Sequence, residues 1–140
     1  MKFKLFYILF ILLYSIQSNA LVVIVNKNCN INSLTKRQVV DIYMGRFNTF
    51  PNGENVTPVD LPSQSVLKSQ FYMQLVQQNE KKINSYWARL LFSGSAKPPK
   101  IIESVDDIIS QILKNNEMMA YIPESEVKQG VKVVFKFVQN

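Results

Sequence analysis

The 140-residue sequence contains no histidine and only one cysteine, Cys29. Without histidine the chain cannot build imidazole-containing zinc sites, histidine-based catalytic triads or imidazole acid–base pairs. A single cysteine cannot close an internal disulfide, and its polar neighbours predict an unpaired residue in a loop rather than a reactive thiol. We therefore expect a protein that is not an enzyme and that carries neither a metal nor a cofactor.

The sequence also has no cluster of positive charge. It contains 16 basic and 10 acidic side chains, a formal net charge of +6, and the basic residues are scattered along the chain. Scattered charge is typical of an ordinary soluble surface, whereas nucleic-acid-binding faces concentrate lysine and arginine. The composition therefore predicts no nucleic-acid partner.

The first 20 residues have the pattern of a secretory signal peptide. Lys2 and Lys4 precede an apolar run over residues 5–16, and Ser-Asn-Ala at residues 18–20 places small residues before a cleavage site. We expect a periplasmic or secreted domain over residues 21–140, with 14 − 10 = +4 formal charges once the two lysines are removed. The alternative is an uncleaved N-terminal anchor, although the run is short for a membrane-spanning helix.

Hydrophobic periodicity and helix-capping residues predict an α/β fold, a mostly parallel sheet flanked by helices. A continuous β-branched run from residue 21 is typical of a buried strand in a parallel sheet. Thr35 and Gln38 form a capping box, Ser104 caps a later helix, and Lys132 and Lys136 alternate with apolar residues as at a sheet edge. The predicted elements are strands 21–27, 56–61, 118–122 and 131–138 and helices 34–45, 65–78, 80–92 and 105–116.

The segment Ser-Gly-Ser-Ala-Lys-Pro-Pro-Lys, residues 93–100, has two interpretations. Its glycine and the cations Lys97 and Lys100 could cradle a phosphate. It lacks the Gly-x-x-x-x-Gly-Lys-Ser/Thr pattern of a phosphate-binding loop, so we expect a helix terminator followed by an exposed loop.

Polar side chains lie where the predicted strands end, which is where α/β sheets bind ligands. Asn26, Asp60 and Tyr121 lie at or near such ends, and Ser63 and Ser65 lie in the segment Val-Asp-Leu-Pro-Ser-Gln-Ser before the second helix. These five residues are the candidate ligand-binding set. The free amides at the start of the helix could hold a small anion together with the serines, or a serine could simply cap the helix. The residues alone leave both interpretations open.

Residues 34–45, Leu-Thr-Lys-Arg-Gln-Val-Val-Asp-Ile-Tyr-Met-Gly, resemble the Leu-Ser-x-x-Gln-x-x-Asp-Ile-Phe-x-Gly segment of phosphate-type periplasmic substrate-binding proteins. Phe50 takes the position of a tryptophan in that family. Residues 60–72 and 86–99 are similar to short exported members of the superfamily, and residues 118–122 resemble its Gly-Tyr-Val strand with alanine replacing glycine. The resemblance implies a domain like one lobe of a type 2 periplasmic binding protein. It also implies binding of phosphate or a similar small oxyanion and a link to an ABC transporter.

Two features depart from the family pattern. Full-length members grip their ligand between two lobes, and this chain matches only the second. The family's phosphate motif, Arg-x-Asp-x-Ser-Gly-Thr, aligns with Leu61, Ser63, Ser65, Val66 and Leu67, so only Ser65 matches. The missing arginine removes a charge-assisted bidentate contact, and valine adds bulk where glycine lets the backbone approach an oxyanion. The alternative function is therefore an interaction module that has lost ligand binding and docks on a membrane sensor or transporter.

Overall fold

The apolar run that begins at residue 21 forms an inner strand of a five-stranded sheet. A computed structural model describes residues 20–138, so the predicted signal peptide lies outside the described residues except for Ala20. In chain order the strands and helices are β1 (Leu21–Asn26), α1 (Lys36–Tyr43), β2 (Thr57–Asp60), α2 (Val66–Val76), α3 (Glu80–Ser93), β3 (Lys100–Ile101), α4 (Val105–Ile112), β4 (Met118–Pro123) and β5 (Val131–Lys136), with a short 3-10 helix at Glu124–Glu126.

The strands lie in the order β3-β2-β4-β1-β5. β2 is parallel to β3 and β4, whereas β1 is antiparallel to both of its neighbours, β4 and β5. The α/β fold is confirmed, with four strands in one direction and β1 in the other, but the prediction that β1 lies among parallel neighbours is wrong. All residues of β1 and β4 are buried. A continuous apolar run reflects burial on both faces of a sheet, and this sheet achieves that burial with an antiparallel strand.

The two edges of the sheet differ in how far the sequence predicts them. β5 is one edge, as the alternating lysines indicate, and on it the Leu34 amide donates to the Val134 carbonyl at 2.8 Å. β3 is the other edge and contains only Lys100 and Ile101, within and just after the segment predicted to be a loop. A strand of two residues is too short to show a period-2 pattern, so it cannot be recognised from sequence.

Side-chain caps fix where the helices begin. The predicted capping box is present: the Gln38 amide donates to Thr35 Oγ1 at 3.2 Å, and the Thr35 amide donates to Gln38 Oε1 at 2.8 Å. Ser104 caps α4 as predicted. Gly45 follows α1 with a φ of 74°, and a Cβ there would lie 2.7 Å from the Trp87 ring, so only glycine fits between α1 and α3.

Buried aromatic residues join α1 and α2 to the sheet. Phe71 of α2 stacks on Tyr121 of β4 with ring centroids 3.9 Å apart, and it meets Tyr43 of α1 edge-on at 4.7 Å. All three are fully buried. This packing holds α2 against α1 and against β4, the strand next to β2. Cys29 lies in the loop after β1, as predicted, and is buried there. Among residues 20–138 none of the helices combines the length and apolar character needed to cross a membrane.

Candidate functional site

A buried carboxylate, that of Asp60, lies at the end of β2 with 4% of the residue exposed. Its Oδ2 accepts from the Tyr72 hydroxyl at 2.6 Å, and its Oδ1 accepts from the Leu61 amide at 2.8 Å and from the Tyr121 hydroxyl. The Lys68 ammonium lies 3.7 Å from Oδ2. A buried carboxylate needs such partners because its lost hydration must be replaced. Asp60 therefore ties α2 and β4 to the end of β2.

Three phenols pack around this carboxylate. Burial raises the pKa of Tyr43, Tyr72 and Tyr121, and the negative charge of Asp60 raises the pKa of each further. Tyr43 does not contact the carboxylate directly, since its hydroxyl donates to the Val59 carbonyl at 2.9 Å. The phenols therefore stay protonated at neutral pH and act as hydrogen-bond donors. A general base would need a pKa much closer to the working pH.

The turn between β2 and α2 holds an anionic group that the chain itself supplies. The Gln64 amide donates to both carboxylate oxygens of Glu80, at 3.2 and 3.1 Å, and Glu80 is the first residue of α3. Gln64 has a φ of 69°, a left-handed conformation that costs about 1 kcal/mol for a residue other than glycine. That conformation points the amide at Glu80. In this structure the amide of the turn therefore contacts a carboxylate that belongs to the chain itself.

Lys68 lies between the two carboxylates. Its side chain is 7% exposed, and its ammonium lies 3.7 Å from Asp60 and 3.9 Å from Glu80. Two carboxylates and one ammonium give this cluster a formal charge of +1 − 2 = −1. An incoming phosphate would therefore meet a net negative charge, which opposes its binding.

The Asp60 carboxylate at the end of β2 contacts the Tyr121 hydroxyl of β4, and Ser63 and Ser65 follow Asp60 in the segment before α2. Ser65 is the N-cap of α2, and its Oγ accepts from the Lys68 amide at 3.4 Å, so the capping interpretation is confirmed. Ser63 is exposed in the turn. Capping uses Ser65 Oγ as an acceptor, and the anion-binding role of the turn stays a proposal.

Asn26 lies at the opposite end of the sheet, away from the other four predicted site residues. Because β1 is antiparallel to β4, the end of β1 lies beside the start of β4. The Asn26 side-chain amide donates to the carbonyls of Ile112 and Leu113, at 2.8 and 3.2 Å, and its Oδ1 accepts from the Asn28 amide at 2.8 Å. Asn26 thus caps the end of α4. The strand-end rule groups residues correctly only for strands that run in the same direction.

Two positions of the aligned phosphate motif have very different environments. Leu61, at the position of the family's arginine, is 4% exposed and belongs to the hydrophobic core. Val66, at the position of the glycine, is 71% exposed. An arginine at residue 61 would have to bury its guanidinium, so the present backbone does not direct residue 61 towards a ligand.

The candidate set predicted from the sequence does not include Lys68, Tyr72 or Glu80, which the structure places at the site. A signal existed for the first two, because Lys68 is three residues before Phe71 and four before Tyr72, on the same face of α2. A lysine on a buried helical face requires a counter-charge. Glu80 gave no such signal, since an acidic residue in the first turn of a helix is already explained by the helix dipole.

The sequence matches no protein-family model and no curated protein. Its structure does resemble solved structures. An ABC-type phosphate transport receptor from Vibrio cholerae matches 82% of this chain with a TM-score of 0.66 at 15% identity, over 45% of its own length. A protein described as a phosphate ABC transporter substrate-binding protein with bound phosphate, from Clostridium perfringens, matches 82% of this chain with a TM-score of 0.65 at 19% identity, over 44% of its length.

PstS from Borrelia burgdorferi matches the same share of the chain with a TM-score of 0.56 at 14% identity, over 46% of its length. The chain therefore spans less than half the length of the proteins it resembles. At these identities the likeness concerns the fold. The chain has the fold of one lobe of phosphate ABC transporter substrate-binding proteins.

Proposed function

We propose that the chain is an exported, non-enzymatic binding protein whose turn at residues 61–66 recognises a small oxyanion such as phosphate. The observation that carries this proposal is the contact of the Gln64 amide and the Lys68 ammonium with the Glu80 carboxylate. Groups that hold a carboxylate from within the chain have the polarity to hold one from solution. The fold shared with proteins described as phosphate receptors supports the same class of ligand.

Binding at this turn should be weak. Glu80 is part of the chain and therefore competes at a high effective concentration. Residue 61 is a leucine and offers no guanidinium to a phosphate, and the neighbouring Asp60 carboxylate repels one. We expect a dissociation constant no lower than about 1 mM, which corresponds to a binding free energy on the order of −4 kcal/mol.

Replacing Glu80 with alanine tests the proposal. Glu80→Ala frees the Gln64 amide and removes one negative charge, so inorganic phosphate should bind about tenfold more tightly than to the wild type. Binding is measured by calorimetry and by NMR shifts of the amides of residues 61 and 63–66. Glu103→Ala, which removes the same charge from an exposed position just before α4, is the matched control and should leave phosphate binding unchanged.

Two results would contradict this proposal. Micromolar phosphate binding by the wild type would show that Glu80 does not compete for the turn. Absence of binding by Glu80→Ala would show that the turn does not accept an external anion.

The second candidate function is an interaction module that docks on a membrane sensor or transporter. The observation that favours it is again Glu80, because a turn filled by an internal carboxylate needs no ligand to be complete. Failure of Glu80→Ala to bind phosphate would favour this second function. Export is part of both proposals and is supported by the composition of the first 20 residues.

A further inference from the structure

A groove of about 680 Å³ lies at the other end of β2 from the turn at residues 61–66. Its walls are the segments after α1 and after α3, and its floor includes the first residues of β2 and β3. Arg46, Lys97 and Lys100 line it, and none of the described residues that line it is acidic. Phe47, which is 60% exposed, adds an apolar surface. We call this feature the basic groove.

The three cations keep capacity for a further partner. Arg46 Nη1 lies 2.9 Å from Asp41 Oδ1, yet the Arg46 side chain is 61% exposed whereas that of Asp41 is 12% exposed. Lys100 donates to the neutral Gln111 Oε1 at 3.3 Å, and Lys97 is exposed. With the Asp41 carboxylate counted, the formal charge is 3 − 1 = +2.

The helix dipole accounts for only part of this cluster. Arg46 follows α1 and Lys97 follows α3, and cations stabilise helix C-termini. Lys100 begins a strand, and its ammonium contacts α4 through the Gln111 side chain in the last turn of that helix. All three cations line one groove together with an exposed phenylalanine, a combination that the helix dipole does not require.

The walls of the basic groove are held in place before any partner binds. The Tyr86 hydroxyl of α3 donates to the Met44 carbonyl at 2.6 Å, which joins α3 to the end of α1, the two helices that precede the walls. The amides of Arg46 and Phe47 donate to the Asp41 carbonyl at 2.9 and 3.2 Å. A pre-formed groove lowers the entropic cost of binding.

We propose that the basic groove docks an extended, acidic segment of a partner protein. Carboxylates of that segment would pair with Arg46, Lys97 and Lys100, while an apolar side chain covers Phe47. β3 is an edge strand, so an extended segment can also bond to its outer backbone groups. A small anion would leave Phe47 uncovered, and a concave surface does not fit a flat membrane. The groove is separate from the turn at residues 61–66, so this proposal does not depend on phosphate binding.

The test uses a labelled acidic peptide in which glutamate alternates with leucine, titrated against the purified protein by fluorescence anisotropy. Lys97→Gln combined with Lys100→Gln should weaken binding about tenfold. The matched control combines Lys36→Gln with Lys82→Gln, which removes two exposed lysines from the first turns of α1 and α3, and it should leave binding unchanged. In NMR spectra the peptide should shift the amides of residues 45–48, 95–97 and 100.

Several results would overturn the proposal. The first is that the peptide does not bind, and the second is that a peptide with glutamine in place of glutamate binds equally well. The third is that the two double variants weaken peptide binding equally. Shifts confined to residues 61–66 would assign the acidic peptide to the turn instead. Stronger binding to anionic phospholipid vesicles than to the peptide would reassign the groove to a membrane surface. Phosphate binding by Glu80→Ala should not change when Lys97 and Lys100 are also replaced, so the two proposals fail independently.

Discussion

Lys68 is surrounded by opposite charge, with Asp60 on one side and Glu80 on the other. The chain therefore supplies both the cation and the carboxylates of this cluster. In a complex with an anionic ligand, the protein would supply the cation and the ligand would supply the anion. Burial makes each of these charges depend on the others, because an isolated buried charge is costly while a paired one is tolerated. The same dependence makes the cluster testable by single substitutions.

Asp60→Asn should lower the free energy of unfolding by about 3 kcal/mol, because it leaves the buried Lys68 ammonium without its nearest counter-charge. Urea-induced unfolding at neutral pH measures the change. Adding Lys68→Met to Asp60→Asn should recover part of the loss, since the double variant no longer buries an ammonium that has lost the nearer of its two carboxylates. A loss under about 1 kcal/mol for the single variant would mean that the pair contributes no more than a surface ion pair does.

At the scale of whole elements, Asn26 joins β1 to α4. Its side chain satisfies two carbonyl groups at the end of α4 and one amide in the loop after β1. The last carbonyls of a helix have no partner within the helix, so the side chain of another element can complete them. The link explains why a buried strand ends on a polar residue that is only 4% exposed.

Asn26→Leu should lower the free energy of unfolding by about 2 kcal/mol, because leucine has a similar size but leaves these buried groups unpaired. Hydrogen exchange should also become faster at the end of α4. Asn116→Leu, at an exposed position shortly after α4, is the control and should change stability by no more than about 0.5 kcal/mol. Similar effects of the two substitutions would contradict the capping role of Asn26.

At the scale of the whole molecule, residues 20–138 contain three buried phenols, those of Tyr43, Tyr72 and Tyr121, whose pKa values are raised in the folded state. In the unfolded chain the same groups ionise near their ordinary pKa of about 10. Their contribution to stability is therefore fully present below that pH and is lost as the pH rises above it, because the unfolded state releases protons that the folded state retains.

The protein should consequently lose stability steeply above about pH 10, with a limiting slope of roughly 4 kcal/mol per pH unit for three protons. Urea midpoints measured across this alkaline range give the slope. Tyr72→Phe removes one of the three phenols and should reduce the slope by about a third. Stability that stays constant through the range would show that the phenols ionise as readily in the folded protein as in the unfolded chain.

The sequence by itself determined the elements that depend on near neighbours. Helix starts at Thr35, Ser65 and Ser104 follow from hydrogen bonds to amides three residues further along, and any such cap is visible in a short stretch of sequence. The α/β fold class follows from the spacing of apolar residues. The same local reasoning correctly grouped Asp60 with Tyr121, because their strands run in the same direction.

Only the tertiary structure decided the direction of β1, the existence of β3 and the occupant of the turn. The Gln64 amide and the Glu80 carboxylate are 16 residues apart, and Tyr121 reaches Asp60 across 61 residues. Such contacts depend on how α2 and α3 pack against each other and against the sheet, and no periodicity within one element contains that information. The helix-capping serine of the turn could be predicted from the sequence, whereas the carboxylate beside it is set by the packing of a different helix.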